Sequence, residues 1–179
     1  MATAPRYPDL GFRSDAEFFD NLVRPDMAAF KANPGVREGF HLATSLNHML
    51  DWHWHTLHPG VTTKNQPAWS SMRDAMTAAC PALAKIQDLC DASKHCGLDR
   101  RTVGLAGVGM HLGAGGAGAY GGTTGGYGIG VLAYGDGRPT LRMLNLDGTT
   151  AFWAECFAAA FGYWEVLLAA RLKGEPGSQ

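Results

Sequence analysis

Five of the chain's seven histidines fall within HLATSLNHMLDWHWHTLH, residues 41–58. Imidazoles at that density can ligate a metal, relay protons or simply face a core. On a helix advancing about 100° per residue, His41, Thr44, His48, Asp51 and His55 line one side at intervals of three, four and seven, with Trp52 at their margin. Asp51 and His55 at i and i+4, with His48 on the preceding turn, have the spacing of two or three ligands to zinc or iron. Glu38-x-x-His41 repeats a spacing used in di-iron bundles, but no second Glu-x-x-His follows, and Asp88, Asp91 and His95 are the nearest substitutes. Without a metal, Asp51 can accept a hydrogen bond from His48 or His55 and fix its tautomer, which makes either a solvated face or half of an acid/base site. The opposite arc, Leu42, Ala43, Leu46, Met49, Leu50, Trp54 and Leu57, is the expected buried face, and His53 falls in its middle as a core histidine with a hydrogen-bonded ring.

A second motif, SKHCG, closes a helix that starts at Pro81. Lys94 and His95 stand where cations complement the helix dipole, and Arg100 and Arg101 add positive charge beyond them. If this helix packs back against 41–55, then His48, Asp51, Trp52, Lys94 and His95 form one site. Such a pocket suits a small anionic ligand or an acidic protein segment, and could transfer protons.

The elements that must position these residues are mostly helical. Ser14 with Glu17 three residues on is a capping box, and Pro25 kinks or splits the helix it opens. NPG at 33–35 is a turn, and helices are expected near 15–31, 36–57, 68–95 (with Pro81 restarting the chain) and 149–173, the last capped by Asp147 or Thr149. In that last helix Trp153, Phe157, Phe161, Trp164 and Leu168 recur every three or four residues as a core stripe. Between them RTVGLAGVGMHL, YGIGVLAY and TLRMLNL suggest three strands. The expected fold is α+β: a helical bundle (15–96), a glycine-rich antiparallel β-meander (100–146) and a C-terminal helix (149–173), in a single domain over 1–179.

GAGGAGAYGGTTGG at 113–126 contains the spacing G-x-G-x-x-G but no helix start to receive a pyrophosphate, and no Gly-Lys-Ser/Thr. It reads as a mobile hairpin loop, or as a lid with Tyr120 or Tyr127 as its contact.

Composition excludes several classes. The chain has 179 residues, 46% hydrophobic and 17% charged, with net charge −1 and pI near 6.6. There is no global field to hold a polyanion, so nucleic acid is not the expected partner. No basic leader and no run of about 18 apolar residues is present, so a cytoplasmic protein away from membranes is expected. Cys80, Cys90, Cys96 and Cys156 lack CxxC spacing and suit a reducing compartment as small core residues.

HLATSLNHMLDWHW followed by LCDASKHCGLDR resembles a family of small, largely uncharacterised bacterial proteins with an H-x-x-D-W helix, a helix ending in a small residue plus Lys-His, glycine-diluted strands and a C-terminal tryptophan helix. The pattern falls here on His48, Asp51, Trp52, Ser93, Lys94 and His95. The arrangement is also distantly similar to HEPN-type bundles, some of them ribonucleases with Arg-x4-6-His, a spacing absent from this chain. The resemblance implies no activity. The expectation is a noncatalytic binding module, without a cofactor, for a small anionic ligand or protein partner, with homo-oligomerisation left open. The alternatives are a metal-dependent hydrolase or oxidase using His48, Asp51 and His55, and an RNA-binding module lacking the ribonuclease motif.

Overall fold

A computed structural model describes residues 11–61, 66–94, 105–111, 131–134, 138–145 and 150–174; residues 92–94 and the strands are described by backbone. Helix α1 (Asp15–Phe18) starts where the sequence places its cap. Ser14 is extended and its hydroxyl accepts from the Glu17 amide at 3.2 Å. Glu17 returns to the Arg13 amide at 2.7 Å, one residue earlier than a capping box would have it. The chain continues through a π-helical segment (Phe19–Val23) into α2 (Arg24–Ala32). Pro25 lacks an N–H, so the turn beneath it cannot keep the regular ladder. The wider turn, closed by the Arg24 amide on the Phe19 carbonyl, carries the helix past the proline without breaking it.

Helix α3 (Val36–Leu57) follows from Gly35. Helices α4 (Pro67–Ala79) and α5 (Pro81–Lys94) are separated at Cys80, because Pro81 disfavours a helical backbone in the residue before it. Helix α6 (Trp153–Leu172) is the last. The expected start at 149 is corrected, since Thr150–Phe152 is extended and the helix opens only after it.

One apolar core joins these helices. Leu42, Leu46 and Met49 of α3, Leu83, Ile86 and Leu89 of α5, and Trp153, Phe157 and Trp164 of α6 are fully buried in it. Edge-on ring pairs, Phe30 with Phe157 at 5.0 Å and Phe40 with Trp153 at 5.2 Å, attach α6 to the first half of the chain. The aromatic stripe is therefore core, as its spacing predicts. The three cysteines among the described residues, Cys80, Cys90 and Cys156, are buried in the same core.

The α+β reading with a three-strand meander is overturned. The packed body of described side chains is helical throughout. The extended segments β1 (Leu105–His111), β2 (Val131–Tyr134), β3 (Arg138–Asn145) and β4 (Thr150–Phe152) do not have meander order. In a meander each strand pairs with the next, whereas here β3 pairs with β1, β2 and β4, giving the order β1-β3-β2. The glycine tract at 113–126 and its expected mobility lie outside the described residues.

Candidate functional site

Helix α3 carries the candidate residues, and its rotation about its own axis decides what each can do. Leu42, Ala43, Leu46, Met49, Leu50 and Trp54 are buried, as is His53 at 7% exposure. The angular reading of the sequence holds at these positions. Leu57 departs from it: as the last helical residue it is exposed. His48, Asp51 and His55 are each half-buried rather than solvated, and His41 is exposed. The structure therefore keeps the polar row together on one helix but sinks most of it partway into the fold.

Trp52 packs inward. Its ring stacks on Phe18 at 5.2 Å and meets the edge of Phe12 at 6.0 Å, so it closes the core between α3 and α1. Lys94 ends α5 by its backbone, and His95 lies outside the described residues. Glu38 does not join His41 in a ligand pair. Its carboxylate lies back over Gly35, in the space a Cβ there would need. Among the described residues no three of His, Cys, Asp and Glu converge on a point that could hold a metal ion.

Sequence reasoning missed a fully buried polar group that gathers several hydrogen bonds. Asp15, in the first turn of α1, is 0% exposed. Its Oδ2 accepts from Nδ1 of His53 at 2.7 Å and from Arg171 at 2.6 Å, and its Oδ1 accepts from the other arm of the same guanidinium and from the Ala16 amide at 2.8 Å. The Arg171 fork is bidentate, the geometry in which arginine binds a carboxylate most strongly. Because the carboxylate can only accept, the proton in the His53 bond sits on Nδ1. Burial alone raises the Asp15 carboxyl, but the hydrogen bonds from His53 and Arg171, together with their charges, outweigh it and hold the group below the ordinary 3.8.

The clamp continues through Thr56. Its hydroxyl accepts the Asp15 amide at 3.0 Å, taking up one of the donors a helix N-terminus leaves over, and donates to the Trp52 carbonyl at 2.8 Å. The edge of Trp164 faces the His53 ring at 5.5 Å. A smaller tie joins α2 to α3, where the Ser45 hydroxyl donates to Asp26 while also lying 3.1 Å from the His41 carbonyl. The indole N–H groups of Trp54, Trp153 and Trp164 are buried without a hydrogen-bond partner among the described residues, so these rings act by packing.

Chemically, the clamp resembles the orienting half of an acid/base pair, with a carboxylate fixing a histidine tautomer. Its position argues for a structural use. It links the start of α1, the C-terminal half of α3 and the last turn of α6, and its histidine is enclosed by Trp164 and the core. No protein-family model, curated protein or solved structure matches this chain. No helix among the described residues is long and apolar enough to cross a membrane.

Proposed function

We propose that the chain is a noncatalytic binding module for a small anionic ligand, with His48, Asp51 and His55 of α3 as its described residues and with Lys94 and His95, the Lys-His pair of the sequence, as its further members. The observation that carries this reading is the half-burial of the α3 row. A solvated helix face needs no such enclosure. A purely structural set would be drawn in as fully as Asp15 and His53 are. Partly desolvated imidazoles on a helix held by core packing on its other side are preorganised donors, and a weaker dielectric around them strengthens each bond to an anion. Asp51 serves as the acceptor that orients an imidazole rather than as a contact to the anion.

The test is a titration of the full chain, with its histidines ¹³C-labelled, using inorganic phosphate and then citrate as probes. The His48 and His55 signals should move saturably and the His53 signal should not, and Lys94→Met should weaken the response several-fold. Signals of His48 and His55 that stay fixed up to about 10 mM of both anions, a limit corresponding to binding weaker than about 3 kcal/mol, would remove the reading.

A further inference from the structure

The outer face of α6 is unlike that of the other surface helices. An amphipathic helix that packs by one side shows charge on the other. Here the solvent side carries Ala154, Ala158, Ala159, Val166, Ala169 and Leu172, all exposed. Val166 at 71% and Leu172 at 77% are two of the three large hydrophobic side chains exposed among the described residues. A helix whose exposed side is mainly apolar, broken by Glu155 and Glu165, leaves apolar surface for a partner to cover.

Charge and shape on this face are arranged so that it complements itself. Glu155 and Lys173 are exposed at its two ends, about 27 Å apart at 1.5 Å per residue and at nearly the same angle around the axis. Glu165, between them, is already engaged by Arg24 at 2.7 Å. Gly162 is a dent: a Cβ built on it meets nothing within 4 Å. If two copies of α6 cross antiparallel with a two-fold axis at the level of residue 164, each position i faces 328 minus i. Glu155 then meets the partner's Lys173 at both ends, Ala159 meets the partner's Ala169, and the projecting Val166 enters the dent at the partner's Gly162. Parallel packing would instead set Glu155 against the partner's Glu155.

We infer that the outer face of α6 is a two-fold homodimer interface in which the helices run antiparallel, with a second copy of this chain as the occupant. This goes beyond the proposed anion site and does not depend on it. A single helix pair buries less than the roughly 1,200 Å² typical of stable complexes, so the dimer belongs to the weak, concentration-dependent class.

Light scattering coupled to size exclusion, and sedimentation equilibrium, on the full chain between about 1 and 300 µM should show a monomer–dimer equilibrium with a dissociation constant in the micromolar range, about 8 kcal/mol or less of binding. Val166→Asp should abolish it with the far-UV circular dichroism unchanged, since the residue is exposed. Glu155→Lys and Lys173→Glu should each weaken the dimer about ten-fold by setting like charges opposite one another, and the double variant should return to within about three-fold of wild type. A chain that stays monomeric throughout, a dimer indifferent to Val166→Asp, or a double swap no better than the singles would each overturn the inference.

Discussion

Replacing Asp15 by alanine removes the acceptor shared by His53 and Arg171. It leaves one imidazole N–H enclosed in the core and one guanidinium without its carboxylate. Breaking a buried ion pair by deleting one partner costs about 3–5 kcal/mol, and hydrogen bonds to a charged group contribute about 1.5–3 kcal/mol each. The two partners are not equally exposed. The Arg171 side chain is 31% exposed and recovers part of its hydration, whereas the His53 side chain at 10% recovers little. The expected loss is therefore at the lower end of that range, about 3 kcal/mol, with Asp15→Asn nearer 2 because it keeps one acceptor oxygen. Acid dependence separates the charge from the shape. The folded-state carboxyl is held below its ordinary value, so its stabilisation is complete above about pH 4. It is lost as pH falls through the lowered folded value. Wild type should lose stability across that window and Asp15→Asn should lose less. Urea unfolding followed by tryptophan fluorescence at pH 7 and pH 3 measures both effects. A loss below about 0.5 kcal/mol at pH 7, the size of an ordinary surface change, or an acid dependence identical in the two proteins, would refute the clamp as a stabilising ion pair.

Two further outcomes follow from the same geometry. Thr56→Val keeps the side-chain shape but strands the Asp15 amide, and should cost about 1–2 kcal/mol in the same unfolding experiment. The Cys156 thiol is pushed up chiefly by burial, only partly offset by the nearby Lys85 charge. In the native protein at pH 8, iodoacetamide labelling at Cys156 should run at least ten-fold slower than in urea, as read by peptide mass spectrometry, because the thiolate is the reactive form.

The parts of this fold that were legible in the sequence are those set by local periodicity. The angle of His53 on α3 lies within the arc of Leu46, Leu50 and Trp54, which places it in the core, and all four are buried. The Ser14 cap and the break before Pro81 were legible because both act within four residues. The partners of His53 were not. Asp15 is 38 positions away, and Arg171 lies 156 positions from Asp15. Each also has a sufficient local explanation, as an acid in a first helical turn and a cation in a last one, so nothing in either neighbourhood signals a third role. Pairing order is illegible for a related reason. Hydrophobic alternation can suggest an extended segment, but the pairing of β1 with β3 rather than with β2 is a non-local contact across the glycine tract. The core contacts of Trp52 are not legible, because a ring at the margin of a polar stripe has two possible neighbours and the sequence does not show Phe18 and Phe12 as its partners.

The clamp and the half-buried row occupy the same two turns of α3. Positions 52, 53 and 56 are tied inward: Trp52 by its stack on Phe18, His53 by Asp15, and Thr56 by the Asp15 amide. Positions 51 and 55 interleave with them and sit at the half-open edge. Each residue advances the helix by about 100°, so bonding at 53 and 56 leaves little rotational freedom for 51 and 55. A change of even a third of a residue's rotation would carry their tips by several ångströms. The ion pair holds α1 and α6 to α3, and its bonds at 53 add to the core packing of α3 in fixing that helix's rotation. In an Asp15→Asn protein that still folds, the His48 and His55 resonances should accordingly broaden or shift. Unchanged signals would mean that core packing alone sets the rotation of α3, and that the clamp contributes only stability.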